Sequence, residues 1–263
     1  MPIYIVGHKP FDPPKHDAYV PIQVGYGEDF TKARDNTGDN IAEKNKNFCE
    51  LTALYWIWKN DHDSKYVGIN HYRRYFDFLD AQNKWLYTRN IYPAELDLYT
   101  KPGKEFIELG DDEIVLPTPM SCGRRSVYEH YKKYHHIEDM DIAIDIIKRD
   151  YPEYSDAVDK ALARHGAYSH NMMIMSKKRF DHYAEWIFHV LFEAEKKIHL
   201  TGDPFQDRVF GFLSERLFNV YLEKQQLKVK QIPTIFVDPD LKRVKKRWMY
   251  RWFITNKILF PHG

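Results

Sequence analysis

Residues 66–76 read Tyr-Val-Gly-Ile-Asn-His-Tyr-Arg-Arg-Tyr-Phe, and this stretch decides the predicted fold. Its first half is a short run of β-branched and aromatic residues, which is typical of a strand. Its second half follows that strand directly with one histidine and two arginines. In an extended segment His71 and Arg73 point to one side and Arg74 to the other, because side chains alternate along a strand. The stretch therefore predicts a sheet whose edge carries cationic side chains.

Further strands and helices alternate along the chain, which indicates an α/β fold. Strands are predicted at residues 3–6, 114–117, 172–175 and 234–237, and helices at 41–60, 128–162, 179–197 and 205–222. Asn40 and Glu43 predict a capping box at the start of the first of these helices. The loop after the first strand lies where ligands bind in open α/β sheets. We predict one domain at residues 1–240, with a mixed, mostly parallel central sheet flanked by helices.

Composition narrows the class of protein. The 263 residues include 39 basic and 38 acidic side chains, so no general attraction to nucleic acid is expected. Cys49 and Cys122 form no metal-binding or disulfide pattern and are expected to be small buried side chains. The start of the sequence lacks a signal peptide, and no run of about 18 apolar residues occurs. We therefore expect a cytoplasmic protein.

The C-terminal segment, residues 241–263, has a different character. Its cations are interleaved with aromatic residues: Lys242, Arg243, Lys245, Lys246, Arg247, Trp248, Tyr250, Arg251, Trp252, Phe253, Lys257 and Phe260. Such a basic aromatic helix is suited to the surface of an anionic membrane, which would make the protein peripheral on the inner face of the cell membrane. Packing of this helix on its own domain and RNA binding are the alternatives.

No nucleotide-binding glycine loop, zinc-protease motif or nucleophile elbow is present. His71, Arg73 and Arg74 either bind a diphosphate or form ion pairs. The acidic pairs Asp61/Asp63 and Asp238/Asp240 are predicted to be turns. A general base could be supplied by three carboxylates: Asp203, Asp207 and Glu215. Each also has an ordinary structural interpretation, as a helix cap or as a member of an ion pair.

Several segments together resemble the DUF4422 family of capsular and exopolysaccharide synthesis proteins. They are Gly38–Ile41, Lys44-Asn45, residues 49–60, residues 68–76 and residues 208–217. The resemblance covers about residues 1–235. It implies a GT-A-like, inverting glycosyltransferase that uses UDP-galactofuranose as donor substrate and a polyprenyl-linked saccharide as acceptor. The basic tail fits such an acceptor, because the lipid carrier lies in the membrane.

The resemblance also implies roles for individual residues. Donor-binding residues are His8, Asp39, Asn40, Lys44, Asn45, His71, Arg73 and Arg74. Arg208 is expected to contact substrate, and so is Asn171, although the resemblance does not fix this residue. The three cations at 71–74 stand where related folds carry a metal-binding DxD motif, so we predict no metal and no other cofactor. Two alternatives remain: a non-catalytic saccharide-binding assembly protein, and a metal-dependent retaining hexosyltransferase with Asp238 and Asp240 on manganese and UDP-galactose or UDP-glucose as donor.

Overall fold

The computed structural model describes residues 1–82 and 88–238. Its strands are β1 Ile3–Gly7, β2 Tyr19–Gln23, β3 Ala33–Arg34, β4 Tyr66–His71, β5 Arg74–Phe76, β6 Thr88–Ile91, β7 Glu113–Pro117, β8 Met120–Ser121, β9 Gly166–Ala167, β10 Met173–Ser176, β11 Lys228–Ile232 and β12 Thr234–Val237. Its α-helices are α1 Asn45–Phe48, α2 Leu51–Asn60, α3 Leu96–Tyr99, α4 Val127–Tyr134, α5 Ile137–Asp150, α6 Ser155–Ala163, α7 Lys177–Glu195 and α8 Val209–Gln225. Short 3₁₀ turns lie at Ala42–Lys44, Pro93–Glu95, Lys104–Phe106, Pro152–Tyr154 and Gln206–Arg208.

The central sheet is mixed and mostly parallel. Its strand order is β11-β7-β10-β4-β1-β2-β3, and β10 runs antiparallel to both of its neighbours. Strand β5 pairs antiparallel with both β4 and β12, and β12 pairs in parallel with β6. The predicted α/β class, with a mixed sheet flanked by helices, is confirmed.

Both faces of the sheet are buried, which is why its inner strands read as continuous apolar runs. Tyr4 and Val6 of β1 face one cluster, which contains α2, α5, α7 and α8. Ile3 and Ile5 face a second cluster, covered by the β5–β6–β12 strands and α3. The strict alternation along β1 follows from the two-residue period of a strand.

The first predicted helix is wrong as a single element. Residues 41–60 form a 3₁₀ turn, then α1, then α2, because Cys49 adopts a positive φ of 53° that ends α1. The predicted capping box is also absent: the 3₁₀ turn has Ile41 as its N-cap, without a side-chain cap. Asn40 Oδ1 instead accepts the backbone N–H of Ala42 at 3.2 Å. The helices predicted over 128–162 are confirmed as α4, α5 and α6.

The order of the strands creates a crevice. From β1 the chain first adds β2 and β3 on one side, and then returns to add β4 on the other side. Strands β1 and β4 are parallel neighbours, so their carboxyl ends open at the same edge of the sheet. In α/β folds such a switch point is where ligands bind.

Candidate functional site

A cavity of about 620 Å³ lies at the carboxyl ends of β1 and β4. Gly7 and His8 reach it from the end of β1, and His71 reaches it from the end of β4. Seven residues predicted from the sequence line it: His8, Asn45, His71, Arg73, Arg74, Arg208 and Glu215. The crevice expected from the strand order is therefore a real cavity.

The lining of the cavity is mainly cationic. Its basic side chains are Lys46, Arg73, Arg74 and Arg208, and its acidic side chains are Glu50 and Glu215. The guanidinium of Arg73 lies 4.9 Å from the centre of the Tyr72 ring and is exposed. Within residues 1–82 and 88–238 it makes no ion pair, so its donors are available to an anionic ligand. A guanidinium matches the paired oxygens of a phosphate particularly well.

His71 is held by the loop that leads into β10, the strand antiparallel to β4. Its Nε2 makes a short hydrogen bond with the backbone carbonyl oxygen of His170. A carbonyl can only accept, so Nε2 carries the proton and the lone pair of a neutral ring lies on Nδ1. The neutral ring can therefore offer the cavity a hydrogen-bond acceptor.

Glu215 anchors the floor of the cavity. Its Oε1 accepts the backbone N–H of His170 at 2.9 Å, and its Oε2 accepts from Arg216 at 2.8 Å. Burial by itself would raise the pKa of this carboxyl, but the charge of Arg216, with smaller effects from His170 and His71, lowers it overall. Glu215 is thus an ionised carboxylate with both oxygens engaged.

The His170 imidazole is also held in one charge state. Burial lowers its pKa to about 4, and the nearby cations Arg74 and Arg216 act in the same direction. Glu215, whose Oε1 lies 3.9 Å from His170 Nδ1, opposes this shift. His170 is consequently neutral at neutral pH.

Asn45 is fixed by the start of α2. Its amide nitrogen donates to the Cys49 carbonyl oxygen at 2.8 Å and to Thr52 Oγ1 at 3.1 Å. Thr52 Oγ1 in turn donates to the buried Asp35 at 2.5 Å. Burial raises the pKa of Asp35, against the opposing hydrogen bond from Thr52. Because both amide protons of Asn45 are used, its oxygen remains as an acceptor at the cavity.

Three residues expected to bind the donor do not line the cavity. Asp39 is exposed, and its Oδ1 accepts from the Tyr55 hydroxyl at 3.2 Å. Asn40 donates to the Gly38 carbonyl oxygen at 2.9 Å. Lys44 forms an ion pair with Glu195 at 2.7 Å. All three belong to the segment before α1, and the partners of their side chains also lie outside the cavity.

Two of the three candidate bases accept hydrogen bonds from the backbone of their own loop. Asp207 is 5% exposed, and its carboxylate accepts the backbone N–H groups of Thr201 at 2.7 Å and Gly202 at 3.1 Å. Asp203 Oδ1 accepts the backbone N–H groups of Phe205 and Gln206 at 2.7 and 3.2 Å. Both side chains stabilise the loop that brings Pro204 to the cavity. Glu215 alone of the three lines it.

Several site residues escape prediction from the sequence: Lys46, Cys49, Glu50, Tyr72 and His170. Asn171, expected to touch substrate, is 2% exposed and lies behind Glu50. One signal was available, since residues 169–171 immediately precede a predicted strand. If that strand is antiparallel, as β10 is, its start lies at the same edge as the ends of β1 and β4.

The structure also shows the surroundings of His135, of the two cysteines and of Asp61. His135 directly follows α4, and its ring stacks on Phe212 with centroids 4.1 Å apart. Cys122 is buried as predicted, whereas Cys49 is half-buried, lines the cavity and accepts a hydrogen bond from Arg208 at 3.2 Å. Asp61 ends α2 and accepts from Tyr4 and Ser64, as expected of a turn residue.

No group of three His, Cys, Asp or Glu side chains within the described residues is arranged to hold a metal ion. Asp238 is buried. Asp240, the domain boundary at residue 240 and the predicted tail at 241–263 lie outside the residues that the structure describes. Among the helices of residues 1–82 and 88–238, none has the length and hydrophobicity of a membrane-spanning segment.

Comparison with known proteins gives one family and one solved structure. Residues 2–226 match the family model described as "Domain of unknown function (DUF4422)". The fold is similar to the apo structure of the WbbM bifunctional glycosyltransferase, with 34% sequence identity and a TM-score of 0.81. The match covers 90% of this chain and 45% of that chain, so this chain spans less than half the length of WbbM. No curated protein matches significantly. The predicted GT-A-like fold is confirmed by this similarity.

Proposed function

The chain belongs to the DUF4422 family, and we propose that it is a glycosyltransferase of bacterial surface polysaccharide synthesis. The observation that carries this proposal is the cationic cavity at the carboxyl ends of β1 and β4. Similarity to the WbbM bifunctional glycosyltransferase supports the same reaction class. The product would be a segment of capsule, exopolysaccharide or O-antigen.

Arg73, Arg74 and Lys46 would hold the diphosphate of a nucleotide sugar. In the transfer, the bond from the anomeric carbon to the diphosphate breaks, and negative charge develops on the departing phosphate oxygen. Fixed cations stabilise that charge, which is the task that a divalent metal performs in other transferases. We therefore propose metal-independent transfer.

The identity of the donor rests on the family resemblance. It suggests UDP-galactofuranose, with inversion at the anomeric carbon. The oxygen of Asn45 and the ring of His71 would contribute hydrogen bonds to the bound nucleotide or sugar. Discrimination between sugars depends on such polar contacts, because a site built to pair with a hydroxyl rejects a substrate that lacks it.

Release of free nucleotide from a panel of sugar nucleotides tests the proposal. The panel contains UDP-galactofuranose, UDP-galactose and UDP-glucose, each with and without an acceptor saccharide and excess chelator. Acceptor-dependent release from one donor, unchanged by chelator, is the expected result. Loss of release in chelator, restored by manganese, would contradict metal independence. Saccharide binding without release from any donor would contradict the enzyme and favour a non-catalytic assembly protein.

We further propose that the acceptor is a polyprenyl-linked saccharide and that residues 241–263 bring the enzyme to the inner face of the cell membrane. Each cation near an anionic surface contributes about 1 kcal/mol of binding free energy. A chain truncated after residue 240 should lose sedimentation with anionic vesicles and keep activity on a soluble acceptor. Equal sedimentation of the two proteins would contradict this role of the tail.

A further inference from the structure

Two segments with uncommon backbone conformations meet at one wall of the cavity. Cys49 has a φ of 53°, and the consecutive residues His170 and Asn171 have φ values of 74° and 49°. Left-handed conformations are uncommon for residues other than glycine, and they concentrate at active sites and ligand clamps. The two segments are joined by one side-chain contact, the hydrogen bond from Asn171 Nδ2 to Glu50 Oε1 at 2.8 Å.

The turn at Cys49 determines where Glu50 lies. A continuous helix over residues 41–60 would carry Glu50 on one of its faces; the break makes it the N-cap residue of α2 instead. From there the Glu50 side chain lines the cavity beside Cys49 and Arg208. The strained backbone at residue 49 therefore serves to present this carboxylate.

Asn171 is a buried residue that contacts Glu50. It is 2% exposed, and its Nδ2 also lies 3.0 Å from Ser214 Oγ. Ser214 Oγ donates in turn to the backbone oxygen of Gly211 at 2.8 Å. Asn171 thereby connects α8 to Glu50. Asparagine tolerates the left-handed conformation better than most residues do, which suits it to this position.

The carboxylates near the cavity differ in what their oxygens do. Both oxygens of Glu215 accept hydrogen bonds, and so do both oxygens of Asp207. Glu50 makes one side-chain hydrogen bond among the described residues, through Oε1, so its Oε2 is left for a ligand. A general base must have a free oxygen within reach of the proton that it accepts.

Resting on the proposed transferase function, we propose that Glu50 is the catalytic base and that Asn171 is its positioning residue. Oε2 of Glu50 takes the proton of the acceptor hydroxyl while the hydroxyl oxygen forms a bond to the anomeric carbon of the donor. The bond from this carbon to the diphosphate breaks, and its electron pair leaves with the nucleotide. The proton passes from Glu50 to solvent after the product departs.

The test compares E50Q with E43Q in the full chain. Glu43 is exposed, belongs to the same segment and does not line the cavity, so E43Q makes the same chemical change without touching the site. E50Q should lower kcat for transfer about 100-fold or more. Its Kd for the donor, measured by calorimetry, and its melting temperature should match those of the wild type. E43Q should keep wild-type values throughout.

N171D tests the positioning role separately. Aspartate has nearly the same shape as asparagine and tolerates the same backbone, but it replaces the donor facing Glu50 Oε1 with a second carboxylate. We expect kcat to fall about tenfold while KM for the donor stays within twofold. A variant that had only lost stability would show a lower melting temperature, but it would not show a fall in kcat at nearly constant KM.

Three outcomes would overturn the inference. Transfer by E50Q within threefold of wild type would remove Glu50 as base and point to the lone pair of His71. A parallel loss of donor affinity in E50Q would make Glu50 a binding residue. Wild-type kcat and KM in N171D would remove the positioning role. Failure of the proposed function looks different, because the wild type itself would then release no nucleotide.

Discussion

Gly25 lies directly against Asn45: a β-carbon on Gly25 would be 2.8 Å from Asn45 Oδ1. Gly25 also has a φ of 78°, a conformation that glycine adopts without steric cost. The missing side chain lets Asn45 keep its oxygen at the cavity while its nitrogen is held by Cys49 and Thr52. The glycine-rich loop after β2 thus shapes the site from outside it.

Replacing Gly25 with alanine should therefore weaken donor binding as well as folding. Gly123 provides the matched control, because its φ is 67° and nothing lies within 4 Å of a β-carbon there. Both substitutions should lower the free energy of unfolding by about 1 kcal/mol through backbone strain. Only G25A should also raise the Kd for UDP in a calorimetric titration. Equal Kd values for the two variants would contradict the contact with Asn45.

Arg73 should account for much of the affinity for a diphosphate. Removing a charge-assisted hydrogen bond costs about 1.5–3 kcal/mol, so R73A should bind UDP about 10- to 100-fold more weakly. R73K should recover only part of this loss, because an ammonium lacks the planar pair of donors. Arg124 is exposed and does not line the cavity, so R124A is the control. Wild-type affinity in R73A would show that the diphosphate lies elsewhere.

Cys49 can report on occupation of the cavity. Burial raises the pKa of its thiol to about 11, against the opposing hydrogen bond from Arg208. In a C122S background, alkylation of Cys49 should be slow at pH 8 and about tenfold faster at pH 9, following the thiolate fraction. Bound UDP should slow the reaction, because Cys49 lines the cavity. An unchanged rate in saturating UDP would place the nucleotide away from α1.

Acid should destabilise the fold through His135. Burial lowers the pKa of this ring to about 4, with Arg216 acting in the same direction. The ring is therefore neutral when folded but protonates in the unfolded chain below its ordinary pKa of about 6.5, so stability falls between about pH 7 and pH 4. H135Q should therefore lose several degrees less in melting temperature than wild type over this range.

His136 supplies the control for that measurement, because it adjoins His135 in sequence and is exposed. H136Q should follow the wild-type melting curve at every pH. His170, whose pKa is shifted in the same direction, keeps part of the acid sensitivity in both variants. An H135Q protein with the full wild-type decline would contradict the role of His135 and leave the sensitivity to the other histidines whose pKa burial lowers, His8, His130 and His170.

The strands were predictable because their signals are local. Residues 66–70 and 234–237 are short β-branched runs between turn residues, and the structure places β4 and β12 there. The break at Cys49 was not predictable in this way. Helical periodicity continues across residue 49, but packing of Phe48 on Phe210, with ring centroids 4.4 Å apart, fixes α1 against α8 and requires a turn.

The site residues likewise divide into those that local sequence signals predict and those that depend on the folded backbone. His71 was predicted because it follows a strand, whereas His8 was predicted from the family resemblance and lies in the loop after β1; both line the cavity. Glu50 and His170 were missed because positive φ values at Cys49 and at His170 place them at the cavity, and no pattern of apolar residues records such values. Asp207 looks like a base in the sequence, yet backbone N–H groups of its own loop occupy its oxygens.

By itself the sequence determined the α/β class, the strands that bear the site and the cationic character of the segment at 71–74. These properties follow from local periodicity and from the chemical nature of neighbouring side chains. Only the tertiary structure decided which carboxylate has a free oxygen and which is consumed by a loop, a cap or an ion pair. That choice depends on partners 45 to 121 residues apart, as in the contacts of Glu215 with His170 and of Glu50 with Asn171. Hydrogen bonds of this kind form only once the chain has folded, because they require distant backbone segments to be held within about 3 Å of each other.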